Sequence, residues 1–576
     1  MHKELKFFFK KIGYIPCLNL ILVIIFTTIF ELITLGSIFP LIKVIFSPEW
    51  ILDIDLPEFI KNKIISTDQT KLMTIFLIIF FLIYSLRTLF LLFALWFNNN
   101  FAYQINIKFG KELIKKYLSQ PYIFHTSRNS SELIRNIHDE IGRVVKISLF
   151  PVIFLVSEFL LLSVVLGLLL YIDYKSVLFF LFVFILFGSI YFLIFGNKLK
   201  LWGKKRRQHS MFKYKYLLQA LAGIKEITLL NKFDFFTNKY NDENIIVSKI
   251  NRNYTIVSSF PKILVEFIFL TLIIVFINYN FNSNANLSSV LANVTIFFAA
   301  AFRLIPSVNK VYQNIQFLKF GKTTIKQLYI DFNLKAPEYI NLKNNGLSDT
   351  KKKINFKNIT ISKLDFKYQG MKDYVLKDLD LIIDKGECIG IMGLSGSGKT
   401  TFMDLILGLI EPTNGKILIN GVDIQKIKRE WQQMIGHIPQ DIYLLDDSIK
   451  SNIALGEEEN KIDNEKIFEV VNQSQLKDFI EKLPQKVNTI VGERGSSISG
   501  GEKQRIGIAR SLYKESQIFF FDEVTSALDE ETEKNLLNEI KIYRQNKTIL
   551  LISHNPEVFN ICDKVYKLEN KKLIKI

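Results

Sequence analysis

The sequence predicts an α-helical membrane domain with six spanning helices, fused to an α/β domain built around a phosphate-binding loop. Three observations predict it. Six long apolar runs lie in the first part of the chain; a glycine-rich stretch, Gly393-Leu394-Ser395-Gly396-Ser397-Gly398-Lys399-Thr400, sits between a strand-like and a helix-like run; and a later apolar strand ends in Asp522 and Glu523. The chain has 576 residues, too many for one compact domain, so two differently composed halves are expected.

Composition narrows the function classes. The mean hydropathy is positive, which calls for a membrane portion. Three cysteines, Cys17, Cys388 and Cys562, lie far apart in sequence without paired spacing, so neither a disulfide framework nor a zinc site is expected. Metal would have to arrive with nucleotide. The net charge of +18 would suit nucleic acid, but the Lys and Arg residues fall between apolar spans rather than in a stripe with interleaved aromatics. A nucleic-acid partner is therefore not expected. The first apolar run is far longer than the core of a cleavable signal.

The spans are read as Tyr14 to Phe46, Leu72 to Phe97, Ile147 to Ile172, Val177 to Phe195, Ser258 to Ile277 and Leu287 to Val308. Each approaches or exceeds the roughly 20 residues needed to cross about 30 Å of hydrocarbon. Between the second and third lie Lys108, Lys111, Lys115, Lys116, Arg128, Arg135 and Arg143, and between the fourth and fifth Lys198, Lys200, Lys204, Lys205, Arg206 and Arg207. These cation-rich loops face the cytoplasm by the positive-inside rule, which puts both chain termini and the phosphate loop on that side. Both are long enough for the helices to continue below the membrane, with tips near Tyr122 to Ile137 and Leu221 to Leu230. Glu31, Arg87, Glu158, Glu266 and Arg303 lie inside apolar runs, where an unpaired charge costs about 3 kcal/mol. Either structural pairs, such as Glu31 with Arg87, or a substrate cavity near Arg303 and Pro306 answers that cost.

Three domains follow: residues 1–330 in the membrane domain, 331–354 as a polar linker, and 355–576 as the nucleotide domain. In the last, backbone N–H groups of the glycine-rich stretch wrap phosphates, and the helix beginning at Lys399 points its positive end at them. Lys399 reaches the terminal phosphates, while Thr400 holds Mg²⁺ and Thr401 completes the cradle. Upstream, the β-like runs Ile359 to Ile361 and Leu364 to Tyr368 end in an aromatic suited to stack on adenine. Asp522 holds Mg²⁺ through water, Glu523 orients or deprotonates the attacking water, and His554 donates to the γ-phosphate.

With those residues in place, Ser497-Ile498-Ser499-Gly500-Gly501-Glu502-Lys503-Gln504-Arg505 resembles the signature motif of the ATP-binding cassette (ABC) family. Gln440 in Ile438-Pro439-Gln440 is similar to that family's Q-loop, Ser526-Ala527-Leu528-Asp529 to its D-loop, His554 to its switch histidine and Tyr368 to its A-loop. The family usually has Leu and Gln where Ile498 and Glu502 stand. The resemblance implies the exporter type of fold and a homodimer that sandwiches ATP between the phosphate loop of one copy and Ser499, Gly500 and Gly501 of the other. It also implies Glu523 as catalytic base, with Gln440 near the water and Mg²⁺. Thr489 to Gly495 and the order of domains are similar to exporters, and some fifteen residues before the first span leave no room for a peptidase domain.

For cargo, Phe302 to Lys310, Glu31, Arg87 and the acidic segment Glu49 to Lys63 resemble bacterial lipid-linked oligosaccharide flippases. That resemblance implies a lipid-linked glycan or other amphipathic substrate, lipid contact and residence in a bacterial cytoplasmic membrane. Export of drugs, lipids or peptides is the alternative.

Overall fold

The structure is a computed structural model that describes residues 1–46, 69–172, 174–282, 287–335, 355–523, 533–534, 537–538, 540–542 and 547–576. The acidic segment Glu49 to Lys63, most of the predicted linker, and Ser526 and Asp529 lie outside the described residues, as does the side chain of Arg303. Two compact units form, one from Met1–Gln120 with Ser127–Lys335, the other from Pro121–Thr126 with Ala336–Ile576.

The first unit is helical. A short amphipathic helix, α1 (His2–Ile12), stops at Gly13, whose φ of 111° few other residues adopt. Six long helices follow: α2 (Tyr14–Phe46), α3 (Gln69–Leu118), α4 (Phe150–Ile172), α5 (Tyr174–Ala222), α6 (Phe233–Asn282) and α7 (Leu287–Phe332). At 1.5 Å per residue, the 50 residues of α3 and of α6 span about 75 Å, more than twice the hydrocarbon thickness. The helices therefore run well past the apolar spans, as the long basic connections predict. Among the described residues, five helices are long and apolar enough to cross a membrane. The sixth predicted span, 287–308, lies within α7.

A short helix stands at each tip. Tyr122 to Ile137 divides into helices Tyr122–Ser127 and Ser130–Arg135 and then a π-helical turn, Asn136–Glu140. Asn129 caps the start of the second piece, its side chain accepting from Ser131 N. In the other loop, Ile224–Leu229 alone is helical between α5 and α6.

Helix α5 lies unusually close to α7 because glycines face it. A Cβ on Gly203 would stand 2.1 Å from the Phe320 carbonyl oxygen, and one on Gly188 2.4 Å from the Tyr312 hydroxyl. Three of the charges read inside apolar runs find partners: Arg87 lies 3.9 Å from Glu31, and Lys310 lies 3.0 Å from Glu158. Polar groups further along the chain build a second, larger network. Asp331 is fully buried and accepts from the Tyr117 hydroxyl (2.9 Å), Asn136 (2.9 Å) and Arg128 (3.3 Å), and buried Arg206 pairs with buried Glu140 at 2.9 Å. The chain turns polar at Asp331 because that carboxylate anchors the end of α7, and the helical unit continues to Lys335.

The second unit carries two sheets. Strands β1 (Asn358–Phe366), β2 (Leu376–Asp384), β4 (Asn414–Ile419) and β5 (Val422–Asp423) form an antiparallel sheet ordered β2-β1-β4-β5. The two predicted runs before Tyr368 are one strand, β1, interrupted at Lys363, whose φ is 44°. The larger sheet takes β3 (Cys388–Met392), β6 (Ile435–Ile438), β7 (Ile518–Asp522), β8 (Thr548–Ser553), β9 (Lys564–Glu569) and β10 (Lys572–Lys575) in the order β10-β9-β3-β8-β7-β6. All its neighbours are parallel except β10 with β9.

Period-two alternation divides this sheet's side chains between two cores, since successive residues point to opposite faces. Phe520, Leu550, Ile552, Ile389 and Ile391 join one core; Phe519, Phe521, Ile549, Leu551 and Cys388 join the other. Such continuously apolar strands are expected where both faces are covered. Separation in sequence does not carry over to space for two of the cysteines. Cys388 and Cys562, 174 residues apart, stand with sulfurs 3.4 Å from each other, because β9 pairs beside β3.

Candidate nucleotide-binding site

Parallel order puts the carboxyl ends of β3, β8, β7 and β6 side by side, and ligands of open α/β sheets bind at such ends. The predicted site residues follow those ends one by one. Gly393 comes directly after β3, His554 after β8 and Glu523 after β7, while Gln440 lies two residues beyond β6. Residues scattered over the chain thereby share one edge.

The loop after β3 needs its glycines for different reasons. Gly396 and Gly398 have φ of 80° and 105°, and a Cβ on Gly393 would lie 2.6 Å from Ser397 Oγ. Helix α8 (Lys399–Ile406) starts at Gly398, so its unpaired N–H groups open on the loop. Ser397 Oγ is buried without a hydrogen-bond partner, as suits a group awaiting an anion. Lys399 is buried and its ammonium donates to the carbonyls of Gly393 (2.9 Å) and Leu394 (3.1 Å). Leu394, Ser395, Gly396 and Thr400 are exposed, leaving the cradle open for phosphates.

Glu523 closes the cradle's other side. Its Oε1 lies 3.2 Å from Lys399 Nζ and 4.0 Å from His554 Nδ1. The backbone at Glu523 takes the left-handed conformation, φ 49°, with its N–H donating to the Ile552 carbonyl of the adjacent strand. A non-glycine residue in that region costs about 1 kcal/mol, and here it directs the carboxylate at the loop. Asp522 lies one residue earlier. Burial, and then the neighbouring Glu523, raise its carboxyl above the usual range against the opposing pull of Lys399.

Tyr368 and Thr401, assigned separately to nucleotide contact, are brought together: the phenol oxygen lies 3.1 Å from Thr401 Oγ1. Phe366 meets the Tyr368 ring edge-on at 4.9 Å, so the strand end holds the ring in place. Sequence reasoning missed Asp404 on α8. Burial and then Asp522 push its carboxyl up to about 6. The available signal was an acid embedded among buried apolar residues four positions after Thr400.

Ser499, Gly500 and Gly501 start α9 (Gly500–Tyr513). Ser499 caps it, and Glu502 Oε2 accepts from Ser499 N at 2.9 Å, forming a capping box. Glu502 thus replaces the usual Gln with a side chain that stabilises the helix start and suits its dipole. Ser499 and Gly500 are exposed, and the described hydrogen bonds of Ser499 remain within its own turn. Thr400, Gln440 and Asp522 offer the hydroxyl, amide and carboxylate oxygens that fit Mg²⁺.

Fold and site together define a membrane-embedded phosphate-loop ATPase with an α/β cassette. Comparison with known proteins specifies the family. The ABC transporter family matches residues 376–526, and the ABC transporter transmembrane region matches residues 16–318, more than half the chain. The chain belongs to the ABC transporters, with a matched transmembrane region ahead of a matched ATPase domain.

Among relatives, the mitochondrial iron-sulfur clusters transporter ATM1 of Candida glabrata is 42% identical over 225 residues, 38% of this chain and 30% of that protein. The leukotoxin export ATP-binding protein LtxB of Aggregatibacter actinomycetemcomitans is 36% identical over 242 residues, 42% of this chain and 33% of the relative. The matches thus span about a third of these relatives' length. A bacterial Atm1-family ABC exporter with ATP bound shares the fold, with a TM-score of 0.77 and 19% identity over 97% of this chain and 94% of that one.

Proposed function

We propose that two copies of this chain form an exporter driven by ATP hydrolysis. The observation that carries the reading is the convergence of Lys399, Glu523 and His554 at the ends of neighbouring strands, beside an open phosphate cradle. Ser499 and Gly500 stand exposed at a capped helix start, which suits contact with a triphosphate held by a second copy. Closure of two such cassettes buries two nucleotides.

In the proposed cycle Lys399 leaves its loop carbonyls for the phosphates, which frees Glu523 to face the attacking water. Glu523 takes the water's proton, Gln440 positions that water, and His554 donates a hydrogen bond to the γ-phosphate. Mg²⁺ held by Thr400, Gln440 and Asp522 would neutralise phosphate charge as it develops.

A bacterial cytoplasmic membrane goes with the glycolipid reading, and the basic loops favour an orientation with the cassette and both termini inside. For cargo, a lipid-linked oligosaccharide or related glycolipid is the first class to test. Glu31 and Arg87 pair with each other at 3.9 Å, which leaves Arg303 as the cation on which this reading chiefly rests. Drugs, other lipids and peptides remain in the panel, and the relatives' names add iron-sulfur species and protein toxins.

The test is reconstitution in proteoliposomes, with ATP hydrolysis and movement of a fluorescent lipid-linked oligosaccharide measured together. ATP-dependent movement of that lipid supports the glycolipid reading. Transport of another panel member alone replaces it, and no ATP hydrolysis by the wild-type protein removes the exporter reading itself.

A further inference from the structure

Cys388 opens β3, five residues before Gly393, and Cys562 follows the 3-10 turn Pro556–Ile561 that comes after His554. Their sulfurs are 3.4 Å apart. Neither residue is free to drift. Cys388 N donates to Asp563 Oδ2 at 2.8 Å, and Asp563 N donates to the Cys388 carbonyl at 2.8 Å. A Cβ on Gly390 would meet Cys562 Sγ at 3.2 Å, so the Cys562 sulfur lies over the face of β3 that residues 388 and 390 share. Glycine at 390 makes that approach possible.

A disulfide bond is about 2.05 Å long, so bond formation asks the two sulfurs to close by roughly 1.4 Å. The pair is also asymmetric in access: Cys388 is fully buried and Cys562 is partly exposed. An incoming reagent therefore meets Cys562 first and leaves Cys388 as the resolving thiol.

We propose that Cys388 and Cys562 form a redox-active pair that closes into an intrachain disulfide by exchange with a low-molecular-weight disulfide. The closed form staples the strand feeding the phosphate loop to the segment behind His554. In the first step the Cys562 thiolate attacks one sulfur of the small disulfide, forming a mixed disulfide and releasing one small thiolate. In the second, Cys388 loses its proton and attacks Cys562 Sγ, breaking the mixed bond and releasing the other small thiolate. The two cysteine sulfurs are oxidised together by two electrons, and the small disulfide becomes two thiols. A reducing compartment keeps the pair open, and a rise in disulfide concentration closes it.

The test uses the full-length protein, purified under reductant, incubated with oxidised glutathione, quenched in acid, alkylated while unfolded and read by peptide mass spectrometry. Alkylatable cysteines are expected to fall from three to one, with a linked Cys388–Cys562 peptide that dithiothreitol abolishes. The Cys17→Ser variant is expected to form the same link, and Cys388→Ser to stop at a glutathione adduct on Cys562. A stable glutathione adduct on Cys562 of the wild-type protein without the linked peptide overturns the proposal. So do three thiols that all remain alkylatable, or a link that involves Cys17. The wild-type and Cys17→Ser results decide the matter even where Cys388→Ser does not fold.

Discussion

Glu523 Oε1 stands 3.2 Å from Lys399 Nζ, so the side chain proposed as the base is held by the side chain proposed to grip phosphate. The same ammonium also donates to two carbonyls of its own loop. Phosphates entering the cradle compete for that ammonium, and its departure leaves the carboxylate available for water.

Replacing Lys399 by Ala removes the grip and leaves Glu523 without this partner. Loss of both ATP hydrolysis and transport is expected, and tighter binding of a fluorescent ATP analogue than in the wild type would contradict the role.

Glu523→Gln keeps the shape and removes the base. Hydrolysis is expected to fall by about a hundredfold or more while ATP binding persists, since positioned general bases contribute roughly that much. Size-exclusion chromatography with ATP should show a persistent closed dimer. Unchanged turnover in the purified variant would remove the assignment.

Gly203→Ala inserts a methyl group 2.1 Å from a backbone carbonyl that cannot rotate away. Forced separation of α5 and α7 is expected to cost about 1–3 kcal/mol, seen as a lower melting temperature. An unaltered melt would mean the helices have slack at this crossing.

Arg206 and Glu140 form a buried pair at 2.9 Å, so Glu140→Leu strands a cation and is expected to destabilise by about 3–5 kcal/mol. Adding Arg206→Leu should recover most of the loss, because desolvation of both charges is then avoided. Additive destabilisation in this double-mutant cycle would show that the two do not act as a pair.

His437 on β6 has an imidazole that burial pulls down to about 4, and its Nε2 is buried without a hydrogen-bond partner. The folded protein thus binds its proton less readily than the unfolded chain, whose histidine titrates near 6.5. The associated stability is fully present above about pH 6.5 and is lost as pH falls toward about 4. Melting profiles over that window should be flatter for His437→Gln than for the wild type; equal slopes would contradict the assignment.

Much of this protein was determined by sequence alone, for reasons of local chemistry. Long apolar runs mark the helices because hydrocarbon rejects unpaired polar groups, and the spacing from Gly393 to Thr400 marks the phosphate loop because it lies between a strand and a helix. The adjacent acids Asp522 and Glu523 were legible as a strand end for the same reason. Tertiary structure decided what depends on which strands and helices become neighbours. Placing β8 between β3 and β7 brings His554, Lys399 and Glu523 together, and β9 beside β3 puts Cys562 against Cys388. Burial makes Asp331 an anchor at the end of α7, and close helix contact makes glycine the residue that fits at 203. Sequence periodicity specifies the face a residue occupies, but only the pairing of distant elements determines what that face meets.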